Sequence, residues 1–152
     1  MSKDKTDLKL ASSKHIPALL DFIQSYYDFE SITYLENKVE KALRSLLNSE
    51  DIGRVWLITF NDEPVGYIIL CFSYSLVSYG QDGMIDEFYI KEKYRNKGIG
   101  TEVIKQVIKN SKKLGLKSLY LEVNKHNKEA QSFYNSLKFK KRDNYFLMNL
   151  DL

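Results

Sequence analysis

Hydrophobic positions along the chain switch between the two-residue spacing of strands and the three- to four-residue spacing of helices. Residues 7–11 (DLKLA) alternate and predict a short strand. Ser13 then stands where it can cap a helix carrying Ile16, Leu19, Leu20, Ile23 and Tyr27 on one face. Pro17 falls in the first turn of that helix, where a missing N–H is tolerated. Thr33, with Glu36 three residues on, has the capping-box pattern for a second helix striped by Val39, Ala42, Leu43, Leu46 and Leu47. Two β-branched and aromatic runs, 54–60 (RVWLITF) and 65–75 (VGYIILCFSYS), surround the polar turn NDEP and predict a β-hairpin. A loop holding Gly80 and Gly83 leads to a third long strand, 84–90 (MIDEFYI).

The second part continues with a helix over 98–114, whose buried face is Ile99, Val103, Ile104, Val107 and Ile108. Lys112 and Lys113 fall in its last turn and Gly115 fits the position just past its end. A strand is expected over 118–123 (SLYLEV). A short helix over 127–137 turns Ala130, Phe133, Tyr134 and Leu137 inward, and 139–150 reads as a final strand pair around the turn Asp143–Asn144. The order is β-α-α-β-β-β-α-β-α-β-β. A right-handed crossover through the 98–114 helix places the strands ending at Ile90 and Val123 parallel and close together. The prediction is one domain, residues 1–152, of α/β (α+β) class. Its sheet is mixed, mostly antiparallel and twisted, with about six to seven strands flanked by about four helices.

Composition narrows the setting. The 152 residues are 43% hydrophobic and 28% charged, ordinary for a globular domain. The one cysteine, Cys71, lies in the apolar run YIILCF and reads as core; it cannot form an intrachain disulfide, which suits a reducing cytoplasm. The N-terminal MSKDKTDLKL lacks a signal peptide's apolar segment, and no run approaches the roughly 18 apolar residues of a membrane span. A cytoplasmic protein with no membrane partner is the expectation. The two histidines, His15 and His126, have no ligand spacing around them, so no metal site is expected. Charge is uneven. Residues 1–90 hold 8 Lys and Arg against 14 Asp and Glu, net −6, and residues 91–152 hold 15 against 6, net +9. Two differently charged partners would explain the split; a solvated surface would explain it too.

The stretch YRNKGIG, residues 94–100, sits where a helix begins. It lacks the Gly-Lys-Ser/Thr ending of a P-loop, and Val103 replaces the third glycine of a dinucleotide fingerprint. What remains is Arg-x-x-Gly-x-Gly: Arg95, Gly98 and Gly100. Unpaired N–H groups in a helix's first turn, together with its dipole, attract an anion, and glycines let a phosphate reach the backbone. A plain tight turn is the alternative.

With these residues in view, IDEFYIKEKYRNKGIGTEVI resembles the acetyl-CoA-binding segment of the GNAT superfamily of N-acetyltransferases. LEVNKHNKEAQSFYNSLKF resembles that family's second signature, Asn-x-x-Ala-x-x-x-Tyr, and VGYIILCF resembles its third strand. The resemblance covers nearly the whole chain. It implies a GNAT-like fold with acetyl-CoA as cosubstrate. The amides of Asn96, Lys97, Gly98, Ile99, Gly100 and Thr101 would hold the pyrophosphate, with Arg95 and Lys97 adding positive charge. The main chain of Phe88, Tyr89 and Ile90 would pair with the pantetheine arm, and Asn127 would contact the arm from the other side. One departure is Lys138-Phe139 where the family has Gly-Phe, which leaves that turn free to take another shape.

Acetyl transfer to an amine needs a proton taken from the ammonium and benefits from a proton given to the departing thiolate. By resemblance Tyr134 lies next to the sulfur and is the candidate acid; the alternative is a core aromatic of an amphipathic helix. Glu87 is the first candidate base and Asp86 the second, directly or through water. Adjacent strand residues point to opposite faces, so at most one aims straight at the substrate. An ion pair with a nearby Lys or Arg is the alternative for either. The expected function is transfer of an acetyl group from acetyl-CoA to a primary amine of a small cationic molecule, directly in a ternary complex. A protein N-terminal or lysine acetyltransferase and a non-catalytic coenzyme A-binding module are the alternatives. A nucleic-acid binder using Lys105, Lys109, Lys112 and Lys113 lacks any accompanying motif, so no nucleic-acid partner is expected. The resemblance implies an acceptor side built from residues 26–33 and 76–83, and the acidic first part with its aromatics (Tyr26, Tyr27, Phe29, Tyr34, Tyr74, Tyr79) suits a cationic acceptor. Dimers are frequent in the family, so a homodimer is the assembly the resemblance suggests.

Overall fold

The computed structural model describes residues 3–152. It divides into two compact units, one ending at Glu122 and the other Val123–Leu152. The first unit is built on one sheet: β1 (Thr6–Leu10), β2 (Gly53–Phe60), β3 (Glu63–Ser75), β4 (Gly80–Ile90) and β5 (Leu119–Leu121), in that spatial order. The pairs from β1 to β4 are antiparallel, and β5 joins β4 in parallel. The helix between β4 and β5, α3 (Ile99–Lys113), makes the expected crossover. A five-stranded mixed sheet with four helices has the expected class, with fewer strands than the expected six to seven.

Helices α1 (Ile16–Glu30) and α2 (Glu36–Leu47) bury Leu19, Leu20, Phe22, Ile23 and Leu43 against Val55 and Leu57 of β2 and Tyr67 and Ile69 of β3. The alternate residues Trp56, Ile58, Ile68 and Leu70 are also buried and face the other way, where α3 supplies Ile99, Val103, Ile104 and Val107. Helices on both faces explain why β2 and β3 read as continuous apolar runs rather than alternating ones.

Local differences from the sequence reading have simple causes. Before α1, a 3₁₀ turn over Ser13–His15 is held by a reciprocal cap between Ser12 and His15, and Pro17 comes early in α1 as expected. Helix α2 starts at Glu36, not Thr33. The carbonyl of Leu35 accepts from the N–H groups of Lys38 and Val39, so the turn closes without a Thr33 cap. Gly80 and Gly83 lie in β4 rather than in a loop. A Cβ on Gly83 would come within 2.8 Å of Leu119 and 2.9 Å of Leu116 and Leu70, so this glycine reflects side-chain crowding and not a turn.

The second unit contains α4 (Lys128–Ser136). Its cap is Asn127, whose Oδ1 accepts from the Ala130 N–H at 3.0 Å. Lys138 has φ +73°, so the turn after α4 keeps the left-handed conformation that glycine would favour despite the lysine. The expected strand pair over 139–150 is not formed. A turn does occur at Asp143–Asn144, but the flanking residues carry no ladder. Lys141 pairs with Asp143 and Arg142 lies 4.7 Å over the Tyr145 ring, while Phe146 to Met148 stay exposed. The flanking residues 139–142 and 145–150 are mostly exposed, too little burial to hold a ladder. Among the described residues no helix is long and apolar enough to cross a membrane.

Candidate active site

The site in the first unit begins with an irregularity in β4. Ile69 pairs with Glu87 and Leu70 with Ile85, so Asp86 is left over as a β-bulge. The parallel ladder between β4 and β5 ends at the same point, at Ile85 and Leu121. From Asp86 to Ile90, β4 pairs with β3 on one side and, among the described residues, with no strand on the other. An extended chain can lie along such an edge and use its backbone groups, and Phe88, Tyr89 and Ile90 are on it. The alternation argument that separated Asp86 from Glu87 assumed an unbroken ladder, which the bulge interrupts.

Glu87 lies on the face covered by α1, because its cross-strand partner Ile69 does. Its Oε1 accepts from the Tyr67 hydroxyl at 2.8 Å, and its Oε2 accepts from the Tyr27 hydroxyl at 3.5 Å. Burial pushes its pKa up to about 7; the two tyrosine hydrogen bonds oppose the rise and the charge of Asp86 adds to it. Asp86 is exposed as a residue, while partial desolvation of its carboxyl raises its pKa. Burial, Glu87 and Asp86 together push the Tyr27 hydroxyl up to about 12. A carboxylate that titrates near neutrality beside an open strand edge can take a proton from an incoming group at physiological pH.

Three aromatic residues expected around the acceptor belong here. Tyr26 and Tyr27 meet at 6.1 Å, Tyr27 and Tyr34 at 6.0 Å, and Tyr26 lies edge-on to Tyr67 at 6.5 Å. The others do not. The Arg95 guanidinium lies 5.5 Å over the Phe29 ring, and Tyr74 and Tyr79 are 74% and 87% exposed at the end of the β3–β4 hairpin.

The expected anion cradle follows β4. Asn96 has φ +60° and Gly98 φ +78°, and Gly98 is the N-cap of α3 with no side chain capping the helix. The first intrahelical bond runs from the Glu102 N–H to the Gly98 carbonyl, leaving the N–H groups of Ile99, Gly100 and Thr101 without helical partners. A Cβ placed on Gly98 would meet nothing within 4 Å. Three N–H groups without helical partners, next to an unfilled space at Gly98, are the kind of donors a phosphate group needs. Lys97 is exposed beside them, its Nζ 5.6 Å over the Tyr94 ring. Arg95 donates its Nε–H to the Ile90 carbonyl at 2.8 Å, and its guanidinium lies 5.5 Å from the rings of both Phe29 and Tyr89. It ties the cradle loop to the end of β4.

Tyr134 and Asn127 belong to the second unit. The Tyr134 ring meets Phe133 at 5.0 Å and Phe139 at 5.6 Å, and burial pushes its hydroxyl up to about 12, so it stays protonated. The Asn127 side chain is engaged in capping α4. Among the described residues no cluster of His, Cys, Asp and Glu is suited to hold a metal.

Sequence reasoning missed Tyr67 altogether and read Tyr27 as part of the apolar helix face and as an acceptor-side aromatic, not as a partner of Glu87. A tyrosine inside an apolar strand was the available signal, since its hydroxyl needs a buried partner.

The acetyltransferase (GNAT) family profile matches residues 18–139. An uncharacterized N-acetyltransferase of Methanocaldococcus jannaschii is 27% identical over 123 residues, 80% of this chain and 54% of the relative. A thialysine N-epsilon-acetyltransferase of Bos taurus is 37% identical over 73 residues, 48% of this chain and 42% of the relative. The chain thus spans about half the length of the curated relatives it matches. An aminoglycoside N-acetyltransferase solved in complex with CoA superposes with a TM-score of 0.83 at 9% identity, covering 99% of this chain and 98% of the other, a likeness of fold.

Proposed function

Because this chain belongs to the acetyltransferase (GNAT) family, we propose that it transfers the acetyl group of acetyl-CoA to a primary amine of a small cationic acceptor, directly in a ternary complex. The observation that carries the reading is Glu87, a carboxyl with a pKa of about 7 held by two tyrosine hydroxyls beside the open edge of β4. Acetyl-CoA supplies a thioester ready for attack. The first-turn amides of α3 hold its pyrophosphate, and the edge of β4 from Phe88 to Ile90 aligns the pantetheine arm. Glu87 takes the proton of the acceptor ammonium. Tyr134, protonated throughout the working pH range, is the acid for the departing thiolate by resemblance and by its own protonation state. The family match runs across both units, which supports treating residues 1–152 as one catalytic domain.

A cationic acceptor is supported by two carboxylates, Glu87 and Asp86, near Tyr27, whose ring meets those of Tyr26 and Tyr34. Carboxylates draw an ammonium by charge and ring faces by cation–π attraction. The relative named for thialysine supports a lysine-like amine. The test is thiol release from acetyl-CoA against diamines, polyamines, thialysine, aminoglycosides, neutral amino acids and peptide N-termini, at low and high salt. Cationic small amines should lead, and their kcat/KM should fall as salt rises. Release with none of the amines would turn the reading to a coenzyme A-binding module, and a lead by neutral amines or peptides would remove the cationic acceptor.

The cradle has a matched control within α3. Gly98 and Gly115 flank its two ends with φ of +78° and +77°, and neither would bring a Cβ within 4 Å of another atom. Gly98→Asn and Gly115→Asn therefore impose similar backbone strain, small for a residue that tolerates the left-handed region. We expect Gly98→Asn to weaken coenzyme A binding by about tenfold or more, about 1.4 kcal/mol, and Gly115→Asn to leave it unchanged by calorimetry. Equal effects at both ends would remove the cradle assignment.

A further inference from the structure

Tyr67 is the most enclosed polar side chain near the site. It is 0% exposed, and three rings hold it: Phe22 stacked at 6.5 Å, Tyr26 edge-on at 6.5 Å and Tyr89 tilted at 6.4 Å. Its ring has little freedom to turn, so its hydroxyl is a fixed donor. That hydroxyl meets Glu87 Oε1 at 2.8 Å, whereas Tyr27, from the less buried side, reaches Oε2 at 3.5 Å. We propose that Tyr67 is a positioning residue for acetyl transfer, its hydroxyl fixing the Glu87 carboxylate in the ionised, proton-accepting state. This rests on the reading of Glu87 as the base.

The groups facing Glu87 leave Tyr67 little alternative but to donate. From β3, the Cys71 thiol is pushed up to about 11 by burial and by Asp86 and Glu87. From α1, the Tyr27 hydroxyl stands at about 12, and the Tyr67 hydroxyl itself lies far above its ordinary value, chiefly through burial. All three are neutral at working pH. Asp86, on β4 itself, is the neighbour that carries charge, and its charge favours protonation of Glu87. Burial also favours the protonated form. The two tyrosines alone act for the carboxylate, and a buried donor to an ionised acceptor is worth more than one to a neutral acceptor. Without Tyr67, Glu87 would hold its proton further into the neutral range, and a smaller fraction of the protein would begin a turnover able to accept another.

The experiment compares Tyr67→Phe, Tyr27→Phe and Glu87→Gln in the full chain. One readout is the acidic limb of kcat/KM for a turned-over amine. The other is the carboxyl titration of Glu87 by NMR on ¹³C-glutamate-labelled protein, assigned by its loss in Glu87→Gln. Tyr67→Phe should move both upward by about one pH unit, and Tyr27→Phe should move them less. Coenzyme A affinity should not change. A role in packing alone would alter thermal stability and leave both titrations in place. A second variant, Tyr67→3-fluorotyrosine, keeps the ring and sharpens the donor, so it should move the limb downward even if Tyr67→Phe folds poorly. If Glu87→Gln loses activity while neither Tyr67 variant shifts the titration, this inference falls and the base assignment stands. If Glu87→Gln stays active, both fall together.

Discussion

Glu87→Gln should lower kcat by about 10²- to 10⁴-fold, the range for loss of a positioned base, with acetyl-CoA affinity retained. The amide is nearly the same size as the carboxyl and can still accept from Tyr67, so the local packing survives. The sign of the pH dependence follows from the pKa of about 7. Only the ionised carboxylate can take a proton, so kcat/KM of the wild type should rise with pH through about 7, and that limb should vanish in the Gln variant. Stability should move the opposite way. The folded-state pKa lies above the ordinary value of 4.5, so the unfolded chain releases this proton first as pH rises. The wild type therefore loses stability between about 4.5 and about 7, and Glu87→Gln should melt higher than wild type above that window. Such a trade of stability for a buried ionisable group is expected where the group is used in chemistry. An unchanged kcat in Glu87→Gln together with a large loss in Asp86→Asn would transfer the role of base to Asp86.

What the sequence made legible and what it hid divide along physical lines. Periodicity sufficed where one residue's neighbours are set by local geometry. The hairpin of β2 and β3, the buried stripe of α3 and the crossover that makes β4 and β5 parallel all came from spacing alone. The start of α3 was legible because glycine takes the left-handed backbone at which this helix opens, as Gly98 does with φ +78°. The bulge at Asp86 was not legible, since IDEFYI alternates as a regular strand would. It arises from pairing across two strands, which no single strand records. Tyr67 hid for a related reason. In the run VGYIIL a tyrosine looks like one more core ring, and only the fold brings Glu87 to its hydroxyl. Arg95 reads as positive charge beside the glycines, and the sequence did not show that its Nε also donates to the Ile90 carbonyl and its guanidinium lies over the ring of Phe29. The C-terminal strand pair was over-read. The reading rested on the turn at Asp143–Asn144, but FKKR before it and YFLMNL after it have no regular alternation, and a turn alone does not make a ladder.

Tyr134→Phe should lower kcat by roughly 10²-fold and leave acetyl-CoA affinity close to wild type, the pattern of an interaction made only as the reaction proceeds. The substitution isolates the hydroxyl. The edge contacts of the ring with Phe133 and Phe139, at 5.0 and 5.6 Å, do not involve it, so Phe can keep them. The hydroxyl stands at about 12 because burial disfavours the phenolate, so it remains a donor at every pH at which Glu87 changes state. The loss should therefore be nearly independent of pH, unlike that of Glu87→Gln, which should shrink as pH falls below about 7 and the wild-type base becomes protonated. The leaving group offers a second handle. A proton matters most when the departing thiolate is basic, so an acetyl donor with a more acidic thiol should narrow the gap between wild type and Tyr134→Phe. If kcat is unchanged with coenzyme A as leaving group, Tyr134 is a packing residue of α4 and the thiolate takes its proton from water. If the loss is large but indifferent to thiol acidity, the hydroxyl acts elsewhere in the cycle and its assignment as the acid is wrong.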